Sequence, residues 1–162
     1  MTSSFSPTYQ RLGSRAEVRS AFDTALEVAG RHISLFDRDG DLYGLNRRQV
    51  ADAISVFLLK NGLAELELIV HDIGYLQNEC ARLIPVLRRF SPRFRVLLTD
   101  EGIKSYSRGF VVFDQMSVLR RPHFDQSLVF WESSETAVGQ AQELLEQLRQ
   151  QANSALQQVT GL

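Results

Sequence analysis

Cysteine, proline and lysine are scarce in this chain of 162 residues, and long apolar runs are missing. The lone cysteine, Cys80, excludes an intrachain disulfide and a cysteine-rich zinc site. The longest aliphatic runs, such as residues 56–59, are far too short to cross a bilayer. The first residues also lack the apolar core of a secretory signal. The sequence therefore predicts a cytoplasmic protein that has no membrane partner.

Net charge is almost absent as well, since 18 basic residues face 19 acidic ones and the formal charge is -1. This balance provides no global attraction to nucleic acid, which is therefore only a weakly supported partner. A hydrophobic content of 44% and a charged content of 23% exclude a disordered or fibrous chain. No cofactor and no metal site are predicted.

The order of patterns along the chain indicates the fold. Residues 1–13 lack periodicity and are predicted to form a flexible arm, whereas residues 14–162 are predicted to form a single domain. Helices alternate with strands first and strands cluster later, which predicts an α/β fold with a mixed central sheet flanked by helices. Pro85 is expected to break or kink the third helix near residues 83–84.

A long C-terminal helix is predicted from Ser134 to about Val159. Its apolar residues recur at alternating steps of three and four, as in a coiled coil. They are Val138, Ala141, Leu145, Leu148, Ala152, Ala155 and Val159. The first half of this seam can pack on the chain's own sheet, but the second half extends beyond what one face needs. The sequence therefore predicts a homodimer.

Arginine is concentrated in the middle of the chain. Residues 82–123 carry a net charge of +6, while the segments before and after them carry -3 and -4. Arginine outnumbers lysine by 16 to 2, which favours bidentate pairing with carboxylate or phosphate. An anion-binding surface is predicted from Arg88, Arg89, Arg93, Arg95, Arg108, Arg120 and Arg121. The alternative is that these arginines pair with the chain's own acidic residues.

An acidic turn follows the strand predicted at residues 32–36. It contains Asp37, Asp39 and Asp41, and it resembles the first motif of haloacid-dehalogenase-type phosphatases. That resemblance implies Asp37 as a nucleophile and Asp39 as a general acid beside a magnesium ion. The family has Thr or Val where Asp41 stands, and a simple acidic turn is the alternative interpretation.

Residues 105–120 predict a strand, a turn at Asp114 and a returning strand. This segment resembles the hairpin that carries the His-x-Lys-(x4)-Asp motif of the phospholipase D superfamily. Asp114 matches the aspartate of that motif. Ser107 stands at the position of the nucleophilic histidine, and Gly109 stands at that of the phosphate-binding lysine. Residues 121–124 replace the Gly-Ser-x-Asn sequence that follows in the family.

The resemblance covers roughly residues 28–150 and extends to a bacterial domain of unknown function placed among phospholipase-D-like folds. It implies half of a phospholipase-D-like enzyme that has lost its reactive residues, so no catalytic residue is predicted. We expect a non-catalytic binding or regulatory module that engages an unknown protein or an anionic ligand through its arginines. The alternative is a magnesium-dependent phosphatase of the haloacid dehalogenase type that uses Asp37 and Asp39.

Overall fold

The computed structural model describes residues 9–161, and its strands form one mixed sheet. The strands are β1 (Tyr9–Leu12), β2 (His32–Asp37), β3 (Glu65–Val70), β4 (Phe94–Thr99), β5 (Gly109–Phe113), β6 (Ser117–Arg121), β7 (Val129–Glu132) and β8 (Ala152–Ser154). Their order across the sheet is β1-β7-β6-β5-β2-β3-β4-β8. The strands β2, β3 and β4 are parallel, and all other neighbours are antiparallel. The predicted mixed sheet is confirmed.

Helices cover both faces of this sheet, as predicted. The helices are α1 (Arg15–Val28), α2 (Arg48–Lys60), α3 (Gly74–Glu79), α4 (Leu83–Phe90), α5 (Glu135–Gln150) and α6 (Leu156–Thr160). The larger apolar core joins one face to α1–α4 and α6, and the smaller core joins the other face to α5. None of the helices within residues 9–161 is both long and apolar enough to traverse a bilayer.

Side chains alternate between these two cores along each central strand. On β2, Ile33 and Leu35 belong to the larger core and Phe36 to the smaller one. The two helices α3 and α4 replace the single helix that the pattern suggested, and Pro85 lies in the first turn of α4, where a missing N–H is tolerated. The predicted break near this proline is confirmed.

Part of the segment predicted as an N-terminal arm, residues 1–13, is a strand. Tyr9–Leu12 forms β1, which pairs antiparallel with β7, and Leu12 is buried in the larger core. A strand of 4 residues with one buried side chain leaves too weak a periodic signal to be recognised. Residues 1–8 of the predicted arm lie outside the described residues.

The C-terminal helix is confirmed as far as Gln150, but its predicted extension to Val159 is wrong. Ala152–Ser154 pairs with β4 as β8, which satisfies the backbone of a strand that would otherwise be a sheet edge. Ala155 and Val159 are then buried in the larger core. The second half of the seam therefore packs inside the chain, and the predicted homodimer stays a prediction without that support.

Candidate functional site

The predicted hairpin is formed by β5 and β6, and Asp114 lies at its turn. Asp114 and Gln115 adopt φ values of 55° and 57°, in the left-handed region that disfavours residues with a side chain. The Asp114 carboxylate accepts backbone hydrogen bonds from Gly30 at 2.9 Å, Arg31 at 2.7 Å and His32 at 2.9 Å. These bonds hold the hairpin against the start of β2, so Asp114 is a structural residue.

Gly109 stands where the phospholipase D motif has lysine, and the structure leaves no room for a side chain there. An ideal Cβ on Gly109 would lie 2.8 Å from Phe124 Cε1 and 2.8 Å from the Phe36 carbonyl oxygen. It would also lie 3.1 Å from Asp37 Oδ1. A packed aromatic ring and a strand carbonyl cannot move aside cheaply, because interiors are close-packed. The packing therefore requires glycine at this position.

A buried ion pair adjoins Gly109. Arg121 Nη1 lies 2.8 Å from Asp37 Oδ1, and the two side chains are 8% and 0% exposed. Asp37 also accepts the backbone N–H of Gly40 at 2.9 Å, and Arg121 donates to the carbonyl oxygens of Phe124 and Gln126. Each charge is thus neutralised within the chain. Arg121 is therefore paired inside the chain, and its anion-binding role stays a prediction that this geometry does not support.

The Phe124 ring fills the space next to Gly109. Its ring is 5% exposed and lies 5.9 Å from the Phe36 ring and 5.8 Å from the His71 ring, between centroids. Its backbone N–H donates to the Ser107 carbonyl oxygen at 2.8 Å. Sequence reasoning did not identify this residue. The signal was present, however, because Phe124 stands where the superfamily has the asparagine of its Gly-Ser-x-Asn sequence.

A network of hydrogen bonds holds the loop that leads into β5. His71 Nδ1 lies 2.6 Å from Thr99 Oγ1, and His71 Nε2 lies 2.7 Å from the Tyr106 carbonyl oxygen. Lys104 Nζ donates to the His71 carbonyl oxygen at 2.6 Å. Burial lowers the pKa of His71, and the nearby Lys104 ammonium lowers it further. A neutral imidazole donates through Nε2 and accepts through Nδ1 here, so both ring nitrogens are engaged internally.

The acidic turn binds its own backbone. Asp39 Oδ1 accepts the backbone N–H of Asp41 at 2.9 Å, and Arg15 lies 3.5 Å from the Asp41 carboxylate. Burial raises the pKa of Asp39. With Asp37 fully buried against Arg121, nothing supports the phosphatase alternative. No group of three His, Cys, Asp or Glu side chains between Tyr9 and Gly161 is arranged to hold a metal ion.

Two further predicted arginines hold the layers of the fold together. Arg95 Nη2 lies 2.8 Å from the carboxylate of Glu67, whose side chain is 2% exposed, and Arg149 from α5 lies 2.6 Å from the same group. Burial alone would raise the pKa of Glu67, but Arg149 and Arg95 outweigh it and hold that pKa below its ordinary value. Arg93 donates instead to three carbonyl oxygens at the end of α2, those of Leu58, Asn61 and Ala64.

The arginines of α4 have no carboxylate partner among the described ion pairs. Arg88 donates to the Thr160 carbonyl oxygen of α6, and the Arg89 guanidinium lies 5.0 Å from the centroid of the Phe90 ring. Both residues are exposed. They therefore form a basic surface on α4 that is separate from the hairpin.

Arg108 and Arg120 line an open cleft between the hairpin and α5, with a volume of about 420 Å³. The Arg108 guanidinium lies 5.9 Å from the Tyr106 ring centroid. The Arg120 guanidinium lies 4.8 Å from the Phe130 ring centroid, and its Nε lies 2.8 Å from Glu132. The Arg120 side chain is nevertheless 42% exposed. The structure thus separates the predicted arginines into internal residues, the α4 surface and this cleft.

Solved structures with the same fold belong to several kinds of protein. An archaeal chromatin protein with a novel mode of DNA binding matches with a TM-score of 0.68 and 12% identity, over 96% of this chain and 57% of that one. NucT from Helicobacter pylori matches with a TM-score of 0.65 and 11% identity, over 92% of this chain and 98% of that one. Nuc from Salmonella typhimurium, a phospholipase D family member, matches with a TM-score of 0.57 and 12% identity over the same shares. At these identities the likeness shows the fold alone.

This chain spans 57% of the chromatin protein and 98% of each of the other two proteins. No curated protein matches the sequence at a significant level. One family model, described as domain of unknown function DUF7931, matches residues 10–158. The match covers most of the chain, and the structural neighbours share the fold. The chain therefore belongs to the DUF7931 family and has a phospholipase-D-like fold.

Proposed function

We propose that this chain is a non-catalytic, phospholipase-D-like binding module whose hairpin cleft holds an anionic group between Arg108 and Arg120. One observation carries the proposal, namely the packing at Gly109. The position of the motif lysine is occupied by the Phe124 ring and by the Asp37–Arg121 pair. The space that a lysine side chain would take at Gly109 is thereby filled, while an open cleft lies between the hairpin and α5.

The residues around Ser107 do not provide the chemistry of the superfamily. A phosphohistidine mechanism needs an imidazole that attacks phosphorus and cations that stabilise the developing charge. The His71 imidazole, whose centroid lies 5.8 Å from that of the Phe124 ring, has both nitrogens bonded, one to the Thr99 hydroxyl and one to the Tyr106 carbonyl oxygen. The Lys104 ammonium is bonded to the carbonyl oxygen of His71. The reactive groups present here therefore serve the fold.

The cleft has the composition of a small anion site. Its volume of about 420 Å³ falls within the range of ligand pockets, which is roughly 300–1,000 Å³. Two guanidinium groups supply donors in the planar geometry that suits phosphate and carboxylate. Gln140 and Gln147 of α5 add amide groups, and Tyr106 adds an aromatic surface. Glu143 also lines the cleft, which favours a ligand with one localised charge over a dense polyanion.

A phosphodiester is the anion that we test first. The phospholipase D superfamily reacts at phosphodiesters, and the DNA bound by the structurally similar chromatin protein carries one at every nucleotide. A domain that has lost catalysis but still binds this group would recognise a partner that contains a phosphodiester. An acidic protein surface would present a similar charge to Arg108 and Arg120.

The experiment uses a fluorescent dinucleotide, which carries a single phosphodiester and whose binding is followed by anisotropy, and bis-nitrophenyl phosphate, whose hydrolysis is followed by absorbance. We expect binding by the wild type and a loss of about tenfold in affinity for Arg108→Ala or Arg120→Ala, since a hydrogen bond to a charged group contributes about 1.5–3 kcal/mol. Arg89→Ala, outside the cleft, is the matched control and should leave the affinity unchanged. No nitrophenol release is expected.

Equal affinities for the wild type and both cleft variants would refute the cleft as the anion site. Steady hydrolysis that Ser107→Ala abolishes would refute the non-catalytic assignment instead. The two parts of the proposal therefore fail separately.

A further inference from the structure

Two neighbouring segments of this chain contain basic residues and no acidic ones. Residues 53–64 and residues 80–93 together carry Lys60, Arg82, Arg88, Arg89 and Arg93. The first segment includes most of α2 and the second includes α4, and both helices pack on the same face of the sheet. Elsewhere most described arginines pair with carboxylates. Asp52, one turn before Val56 on α2, borders this surface, and Arg48 Nε lies 3.9 Å from its carboxylate.

The same surface exposes an apolar stripe. Val56 and Leu59 lie about one turn apart on α2 and are 59% and 56% exposed, and Leu63, in the turn beyond the end of α2, is 70% exposed. The buried stripe of α2, which includes Ile54 and Phe57, faces the core on the opposite side. Scattered exposed aliphatic side chains are ordinary, but a contiguous stripe indicates an interaction site.

Arginines connect this stripe to α4. Arg93 donates to the carbonyl oxygens at the end of α2, and its guanidinium lies 5.6 Å from the Phe90 ring centroid. Arg89 lies on the same ring. Arg88 is turned towards α6, where it contacts Thr160, and successive helix residues point about 100° apart. Arg89 and Arg93 thus share the Phe90 ring, and Arg93 joins this ring to the end of α2.

We propose that this α2–α4 patch, formed by Val56, Leu59, Lys60, Leu63, Arg89 and Arg93, docks an acidic amphipathic helix of a partner protein. This role is independent of the anion cleft, which lies on the other face of the sheet. The apolar side chains run from Val56 and Leu59 on α2 to Leu63 in the turn after Lys60, where the helix ends. A docked helix that presents apolar residues at positions i, i+3 or i+4, and i+7 offers several contacts to them.

Charge determines the orientation and the class of the partner. The apolar stripe lies beside the basic residues Lys60 and Arg89, so an acidic edge next to an apolar face is complementary to it. A nucleic acid backbone would pair with the basic residues but leave Val56, Leu59 and Leu63 in water. A bilayer surface would extend far beyond a patch one helix wide. An acidic amphipathic helix can contact the apolar stripe and the basic residues beside it at the same time.

The test uses two synthetic fluorescent peptides and the full chain. One peptide has leucines at i, i+3 and i+7 with glutamates along one edge, and the other has the same composition in a scrambled order. We expect anisotropy to show binding of the first peptide only. Leu59→Asp and Arg89→Glu should each weaken it at least tenfold, whereas Arg31→Ala, at an exposed residue outside the patch and the cleft, should leave it unchanged. Circular dichroism checks that these exposed substitutions preserve the fold.

A charge swap makes the result specific. A peptide with lysines in place of the glutamates should bind Arg89→Glu more tightly than it binds the wild type. Equal binding of the ordered and scrambled peptides, or indifference to both substitutions, would overturn the proposal. Patch-dependent binding to vesicles of phosphatidylglycerol and phosphatidylcholine without peptide binding would assign the patch to a membrane surface and would also overturn it.

Discussion

Gly109 and Arg108 are neighbours in the chain and both line the cleft, yet a side chain at Gly109 would enter a very different environment from that of Arg108. On the Gly109 side lies a closed pocket that holds the fully buried Asp37 and the ring of Phe124. On the Arg108 side lies an open cleft of about 420 Å³. Side-chain alternation along an extended segment produces this separation. One hairpin can therefore lose the chemistry of its motif on one face and still present cations on the other.

The electrostatic consequences differ in the same way. The Asp37–Arg121 pair is removed from water, so its charges are strongly coupled and each depends on the other. The Arg120–Glu132 pair is partly solvated, so its contribution to stability is small and Arg120 stays available to a ligand. The burial of an arginine, more than its presence in a basic segment, determines whether it can bind an anion.

The largest effect is expected from breaking the buried pair. Arg121→Ala leaves the Asp37 carboxylate buried without its counter-ion, and we expect it to lower the free energy of unfolding by about 3–5 kcal/mol. Arg120→Ala in the cleft should lower it by no more than about 1 kcal/mol. Urea denaturation followed by circular dichroism measures both. Similar losses for the two variants would contradict the distinction between the closed pocket and the open cleft.

Restoring the motif lysine should damage the fold without creating an enzyme. Gly109→Lys forces a side chain into the space of Phe124 and the Phe36 carbonyl, and overpacking of this kind costs about 1–3 kcal/mol. Gly139→Lys is a matched control, because a Cβ at Gly139 on α5 meets no other atom within 4 Å. Thermal denaturation and phosphodiesterase assays report the outcome. A stable Gly109→Lys variant would show that the pocket can open.

The hairpin turn gives a third contrast between structural and ligand-binding roles. Asp114→Ala removes the acceptor of three backbone hydrogen bonds, and we expect a loss of about 1–3 kcal/mol from the unsatisfied donors. Asp114→Asn retains one acceptor oxygen and should lose less. Binding to the cleft should weaken only in proportion to unfolding. A folded Asp114→Ala protein that has lost cleft binding would indicate a direct role in the site.

The smallest effect concerns pH. Because the pKa of Glu67 is held below its ordinary value in the folded chain, its pairing with Arg149 and Arg95 stabilises the fold above the ordinary pKa of glutamate. That contribution disappears as the pH falls through the lowered pKa, since protonation breaks the pairing. Glu67→Gln should therefore flatten the acid side of the stability profile, whereas substitution of the exposed Glu143 should not. Parallel profiles for Glu67→Gln and the wild type would contradict this role.

Periodicity made much of the fold predictable, because local patterns and the final packing agree in the central strands and in the hairpin at residues 109–121. The sequence did not reveal β1 or β8, since each is a short edge strand that depends on a partner distant in the chain. The Asp37–Arg121 contact was equally hidden, because it joins residues 84 positions apart. Their separate patterns favoured an acidic turn and a basic surface. Only the three-dimensional structure shows that the charges of Asp37 and Arg121 neutralise each other.

The central claim is that the cleft binds a phosphodiester and that the closed pocket does not cleave it, and one phosphorus NMR measurement tests both parts. The resonance of bis-nitrophenyl phosphate is recorded over time with the wild type and with Arg108→Ala. We predict broadening by the wild type, loss of that broadening in Arg108→Ala, and no resonance from a monoester product. Equal broadening by both proteins, or a growing product resonance with the wild type, would contradict the account.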